Sequence, residues 1–155
     1  MPFGQENKQQ IAKLVDIANL DLVSFDDARD GIRSALESDN PWERYWGLIA
    51  CSSHGDAAKS FINQAKELAA DDSESLVRVR AAEFLGLIDA DDPRPTIMDA
   101  LAESTSGIEA GLILNTLVLL KDSKHGYDFE VSIDDFQADV RGDDTVKRRM
   151  EYLGK

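Results

Sequence analysis

The chain has one cysteine, two histidines and four prolines in 155 residues, and its 17 lysines and arginines face 30 aspartates and glutamates. Each shortage closes a class of function. A single thiol, Cys51, forms no internal disulfide and fits a reducing compartment without requiring one. The only histidines are His54 and His125, which with one cysteine fall short of a four-ligand structural zinc site of the Cys/His type. A formal charge of −13 repels phosphate backbones and anionic headgroups, which argues against nucleic acid and membrane surfaces as partners and leaves protein. No apolar run approaches the roughly 20 residues of a spanning helix. Met1 to Gln10 is polar where a signal peptide would carry an apolar core, so no export signal is expected at this end.

What the chain does have is a repeat. Leu36, Leu68 and Leu101 follow one another at 32 and 33 residues, and Arg44 and Arg78 stand 34 apart. The segments Leu36-Glu37-Ser38-Asp39-Asn40-Pro41-Trp42-Glu43-Arg44 and Leu68-Ala69-Ala70-Asp71-Asp72 through Val77-Arg78 share one order: helix end, acidic turn, Arg, then a helix rich in small residues and leucine. That period is the length of a helical pair. Two short helices do not bury their own apolar faces, so neighbouring pairs must stack, and the product is a contact surface rather than a pocket built for chemistry.

The periodicity predicts one domain over 1–155 with five parts. Ile11, Leu14, Val15 and Ala18 place a leading amphipathic helix over 7–20. The first repeat spans 26–55, capped by Asp26 or Asp27, with Pro41 opening its second helix and Gly55 closing it. The second spans 56–89, its helices expected over 57–70 and 74–88, with Ala81 and Ala82 where two helices approach closely. The third spans 93–122 and returns through Leu112 to Leu120, apolar nearly all round, so it needs cover on more than one side. The remaining 123–155 is read as a cap. Tyr127, Phe129, Val131 and Ile133 alternate with acidic and polar residues, the period of an extended strip, and Asp143-Asp144-Thr145 opens a last helix with Val146, Met150 and Leu153 on one face.

The cassettes Pro41-Trp42-Glu43-Arg44-Tyr45-Trp46-Gly47-Leu48 and Val77-Arg78-Val79-Arg80-Ala81-Ala82-Glu83-Phe84-Leu85-Gly86 resemble HEAT repeats, whose second helix opens with an apolar-Arg step before alanines and leucines. The whole order, ending in Val146-Lys147-Arg148-Arg149-Met150-Glu151-Tyr152-Leu153, resembles the C-terminal helical extension behind the catalytic domain of some bacterial sulfatases. That resemblance implies an all-α superhelix of about three pairs and a non-catalytic role, packing on a sulfatase domain. The alternative is a free-standing scaffold that binds another protein along its concave helix row. The compartment follows the choice: exported as part of a secreted sulfatase, cytoplasmic as a free scaffold. In the third repeat Glu109 stands where the earlier cassettes have Arg.

No catalytic, metal or cofactor residues are assigned. The sulfatases resembled here need Cys/Ser-x-Pro/Ala-x-Arg, whereas Cys51 is followed by Ser52-Ser53-His54-Gly55. Cys51 and His54 share one side of a helix, a geometry for a thiolate pair or half a metal site, but a small buried thiol is the simpler reading. The groups Asp71-Asp72, Asp89 to Asp92, Asp134-Asp135 and Asp143-Asp144 lack the spacing of a calcium loop and sit where caps and turns are needed. Arg44 and Arg78 recur at one repeat position, which favours a structural ladder to Asp39 and to Asp71 or Asp72 over ligand binding. Trp42, Tyr45 and Trp46 do not all face one way on a helix, so at least one ring lies at the surface or against a neighbour, making these three the candidate interface.

Overall fold

Local chemistry starts and stops the helices. In the computed structural model, which describes residues 2–154, the helices are α1 Pro2–Ala18, α2 Phe25–Leu36, α3 Pro41–His54, α4 Ile62–Asp71, α5 Ser75–Leu87, α6 Arg94–Glu103, α7 Gly107–Lys121, α8 Ala138–Arg141 and α9 Asp144–Tyr152. Short 3₁₀ turns cover Asn19–Leu22, Gly55–Phe61 and Ile133–Asp135, and no strand occurs among the described residues. Met1 and Lys155, the ends of the single domain expected, lie outside the described residues. Ser24, not Asp26 or Asp27, caps α2 by accepting the Asp27 amide at 3.2 Å. The two aspartates sit instead in the first turn, where their charge meets the positive helix end. Asn40 Oδ1 accepts the Trp42 amide at 2.9 Å, with Pro41 opening α3. Gly55 ends α3 at φ +60°, a conformation that favours glycine.

The elements stack in two rows. α2 packs on α3, α4 on α5 and α6 on α7, while α3, α5 and α7 pack on one another in turn. The helices α1 and α9 extend this second row at its two ends, α1 against α3 and α9 against α7. The end of α1 and the turn after it run in the same direction as α3, since Lys13 pairs with Glu43 at 2.8 Å near the start of α3 and the Leu20 carbonyl, in that turn, meets His54 Nε2 at 2.9 Å at the end of α3. The odd-numbered row α1, α3, α5, α7, α9 thus has one face on the even-numbered helices and one face open.

α5 joins two halves of the core. Val77, Ala81, Phe84 and Leu85 pack with Ile32, Leu48, Cys51 and Phe61 on one side, and Val79 and Ala82 pack with Ile97, Leu114 and Leu117 on the other. Ala81 and Ala82 are buried, but the tightest approaches use glycine. A Cβ on Gly47 would lie 2.9 Å from Ala35 Cβ, and one on Gly86 would lie 2.7 Å from Pro93 Cγ. At both positions the facing side chain already fills the space a Cβ would need, so glycine is what fits.

Three expected features take a different form. The leading helix spans Pro2–Ala18 and buries Ile17; of the predicted stripe Leu14 and Ala18 are half-buried while Ile11 and Val15 are exposed, and Lys13 reaches Glu43 of α3. The first helix of the second repeat begins as a 3₁₀ turn, with α4 starting only at Ile62. In the tail, residues 127–132 run without regular structure, with Phe129 and Val131 buried, but Ile133 turns outward as the next 3₁₀ turn begins. Phe136, Val140, Val146, Met150 and Leu153 then join one cluster with Ile113, Leu114, Leu117 and Leu120 of α7. α7 is covered by α5, α6 and α9, and keeps Ile108 and Leu119 uncovered.

Candidate functional site

The expected arginine ladder has a definite geometry. Arg44 donates through Nε and Nη2 to the two carboxylate oxygens of Asp72, at 2.7 and 3.1 Å, and through Nη1 to the Ser38 carbonyl at 2.8 Å. Arg78 repeats the step one unit later, donating to the Asp72 carbonyl at 2.9 Å and to Glu103 at 2.9 Å. Each arginine therefore closes the turn six residues before it and reaches the next pair. Asp39 is exposed and is not the partner of Arg44: the guanidinium takes the Ser38 carbonyl of that turn and the buried Asp72 carboxylate of the following one. Asp71 is likewise exposed. Glu109, where the third cassette departs, accepts from Ser75 Oγ at 2.8 Å and so links α7 back to α5 without a cation.

The three aromatic residues divide as helix geometry requires. Tyr45 is buried, Trp46 is half-buried and Trp42 is 42 % exposed. Their rings meet edge to face, Trp42 with Tyr45 at 5.9 Å and Tyr45 with Trp46 at 5.6 Å between centroids. The Arg80 guanidinium lies 5.1 Å from the Tyr45 ring centroid, and its Nη2 donates to the Tyr45 hydroxyl at 2.9 Å.

Arg80 also anchors a network that sequence reasoning missed. Its Nη1 donates to Glu83 Oε2 at 2.8 Å, and Thr116 Oγ1 donates to that same oxygen at 2.7 Å. Tyr45, Arg80, Glu83 and Thr116 thus tie α3, α5 and α7 together. Burial works against the Arg80 charge, but the Glu83 carboxylate and the Tyr45 hydroxyl more than offset it, holding its pKa above the ordinary arginine value. A signal was present: Glu83 lies between Ala81-Ala82 and Phe84-Leu85, and an acid inside so apolar a stretch must be paired.

The open face of the odd-numbered row surrounds this network. At 3.6 residues per turn, the side of α3 away from Gly47 and Leu48 carries Trp42, Trp46 and Ile49. On α5 the corresponding positions are Leu76, Arg80 and Leu87. On α7, the side away from the core residues Ile113 and Leu114 carries Ile108, Leu112 and Leu119. Ile11 and Val15 continue the strip along α1. Tyr152 ends it on α9, where its hydroxyl donates to Asp122 at 3.3 Å and Arg149 donates to Asn115 at 2.6 Å. Nine large hydrophobic side chains are exposed among the described residues, and six of them, Ile11, Val15, Trp42, Ile108, Leu119 and Tyr152, follow this one face. Single exposed apolar residues are ordinary, but a contiguous set is the mark of a contact surface.

The remaining candidate chemistry is structural in form. Cys51 is buried and its thiol is pushed up to about 12 by that burial, so it is neutral at ordinary pH and not a thiolate. His54 does not pair with it but meets the Leu20 carbonyl and the edge of the Phe25 ring. Asp92 takes four hydrogen bonds from the Arg94 guanidinium and backbone amide, and those bonds hold its carboxyl below the usual range. Asp143 Oδ1 caps α9 through the Thr145 and Val146 amides. Set against protein-family models, curated proteins and solved structures, the chain matches none.

Proposed function

We propose that this chain is a non-catalytic, HEAT-like protein-interaction module that binds through the open face of its odd-numbered helix row. The observation that carries the reading is the alignment of six exposed apolar side chains along that face, around a tyrosine-arginine pair held rigid by Glu83 and Thr116. A surface prepared in this way offers aromatic and arginine anchors whose side chains are already ordered, which lowers the entropy lost on binding. The sequence resemblance supplies the partner: the catalytic domain of a sulfatase, on which the module packs to support or cover the active site.

The test begins with the coding sequence before Met1. A domain there with the aldehyde-forming signature is expressed separately and titrated with this chain by calorimetry. Association weakened at least tenfold by Trp42→Ala combined with Leu119→Asp, with an unchanged unfolding midpoint, is the expected result. Association indifferent to those substitutions would place the contact elsewhere and end the proposal.

A further inference from the structure

We infer that α1 is a hinged arm, which opens and closes over the groove between α2 and α3 as a unit while α2 to α9 stay folded.

The two ends of the odd-numbered row are fastened differently. At the far end α9 sends Val146 and Met150, with Leu153 just after it, into the core shared with α7. α1 has 17 residues against nine in α9, yet no described residue of it joins either half of the core. Every residue from Gln5 to Lys13 is exposed, and among the described residues of α1 Ile17 alone is buried. The fit around it is loose. A space of about 200 Å³ is bounded by Ile17 and by Gly31 and Ala35 of α2, and a cleft of about 580 Å³ is bounded by Gln9 and Gln10 and by Ser38 and Asn40. Gaps of this kind forfeit the close contacts that hold helices together.

What fastens the arm is a short latch. Lys13 Nζ meets Glu43 Oε1 at 2.8 Å, but the lysine side chain is 62 % exposed, and pairs so open to water contribute little. Just after α1 the Leu20 carbonyl meets His54 Nε2 at 2.9 Å, and the Leu20 side chain sits against Gly31, where a Cβ would lie 2.9 Å from it. Beyond Leu20, Asp21 to Ser24 are all exposed, so the chain pivots there without disturbing packing. Opening strands no charge. The Glu43 side chain, 10 % exposed beneath α1, has Lys13 in the closed arm and water in the open one. An element with two satisfied positions is what a hinge requires. A lone helix of this length is marginal in water, so the undocked arm also unwinds and its amides exchange. Opening withdraws Ile11 and Val15 from the open face, so the arm sets how far that face extends, whatever contacts it.

Native-state hydrogen exchange of the full chain at low urea tests the arm. The amides of Leu14 to Ala18 are expected to share one opening, slower than in an unfolded chain but about a hundredfold faster than the slowest amides of α5 and α7, with a weaker urea dependence. Lys13→Met should speed these α1 amides about threefold. Gly31→Ala crowds Leu20 but suits the α2 helix, so it should speed the α1 amides while the urea midpoint holds or rises. In neither variant should the slowest amides of α5 and α7 exchange faster. α1 amides as slow as those of α5, or substitutions that speed both alike, would mean that α1 opens only with the whole chain and overturn the inference. Fast α1 amides that ignore both substitutions would indicate fraying rather than release of a latch, and an α1 with no protection would not be docked. Either result overturns it as well.

Discussion

The Tyr45 hydroxyl accepts a hydrogen bond from Arg80 Nη2 at 2.9 Å while the same guanidinium lies over the Tyr45 ring, so one arginine fixes both the position and the tilt of the central aromatic residue. Arg80 and Glu83 have side-chain exposures of 17 % and 4 %, and neither has much water to fall back on. Removing one partner should therefore cost more than removing both. Arg80→Leu is expected to destabilise the fold by about 3 to 5 kcal/mol, since it leaves a buried carboxylate held only by Thr116. Arg80→Leu with Glu83→Leu should recover much of that loss. Urea unfolding of the four-member cycle decides it, and additive losses would show that the two residues act independently.

Cys51 should be inert in the native state. With burial raising its thiol from the ordinary 9.0 to about 12, modification by iodoacetamide at pH 8 is expected only as fast as the chain unfolds. The sign of the linkage follows: the folded state holds the proton more tightly, so this contribution to stability is complete below about pH 9 and is lost as pH rises toward 12. Rapid alkylation of the folded chain, faster than hydrogen exchange of the α3 amides, would contradict the buried assignment.

Close packing makes the alanine and glycine positions sensitive to added volume. Ala81→Leu is expected to cost about 1 to 3 kcal/mol by overpacking the junction with α3. Gly86→Ala should fall in the same range, because its new methyl would meet Pro93 Cγ at 2.7 Å and Leu120 Cδ2 at 3.1 Å. Thermal unfolding midpoints for both variants equal to that of the parent would mean that these helices have room to separate.

The tail should be indispensable. Phe136, Val146, Met150 and Leu153 share one core with Ile113, Leu114 and Leu117, so deletion of residues 126–155 would uncover α7 along much of its length. The expected outcome is aggregation or loss of cooperative unfolding. A soluble deletion product with the parent's midpoint would show that α7 is covered without the tail.

Much of the helical architecture was legible in sequence because its causes are local. Asn40-Pro41, Gly55 and Asp143 are start and stop signals that act within a turn, and the period of about 34 residues set by Arg44 and Arg78 marks repeated units. The alternation from Tyr127 to Ile133 likewise pointed to an extended segment, and it buries Phe129 and Val131 on one side although Ile133 turns outward. Cap choice was less legible: Ser24 and Asp26 are both good caps, and which one leads depends on where the preceding 3₁₀ turn delivers the chain.

What the sequence by itself determined is therefore the long helices and their spacing, though not the short helix α8 or the 3₁₀ turns, since hydrogen bonding within a turn and hydrophobic periodicity depend on neighbours a few residues away. Only the tertiary structure decided the partners. Arg44 could take any acid within reach, and packing of α4 against α5 brings it Asp72 rather than Asp39. The stripe Ile11, Leu14, Val15, Ala18 could face inward or outward, and the docking of α1 through Lys13 and Ile17 leaves Ile11 and Val15 on the open face. Tyr45, Arg80, Glu83 and Thr116 stand up to 71 residues apart in a chain where stacking at about 10 Å per helix makes them neighbours. Such contacts depend on the angle and register at which helices pack, quantities that no local pattern carries.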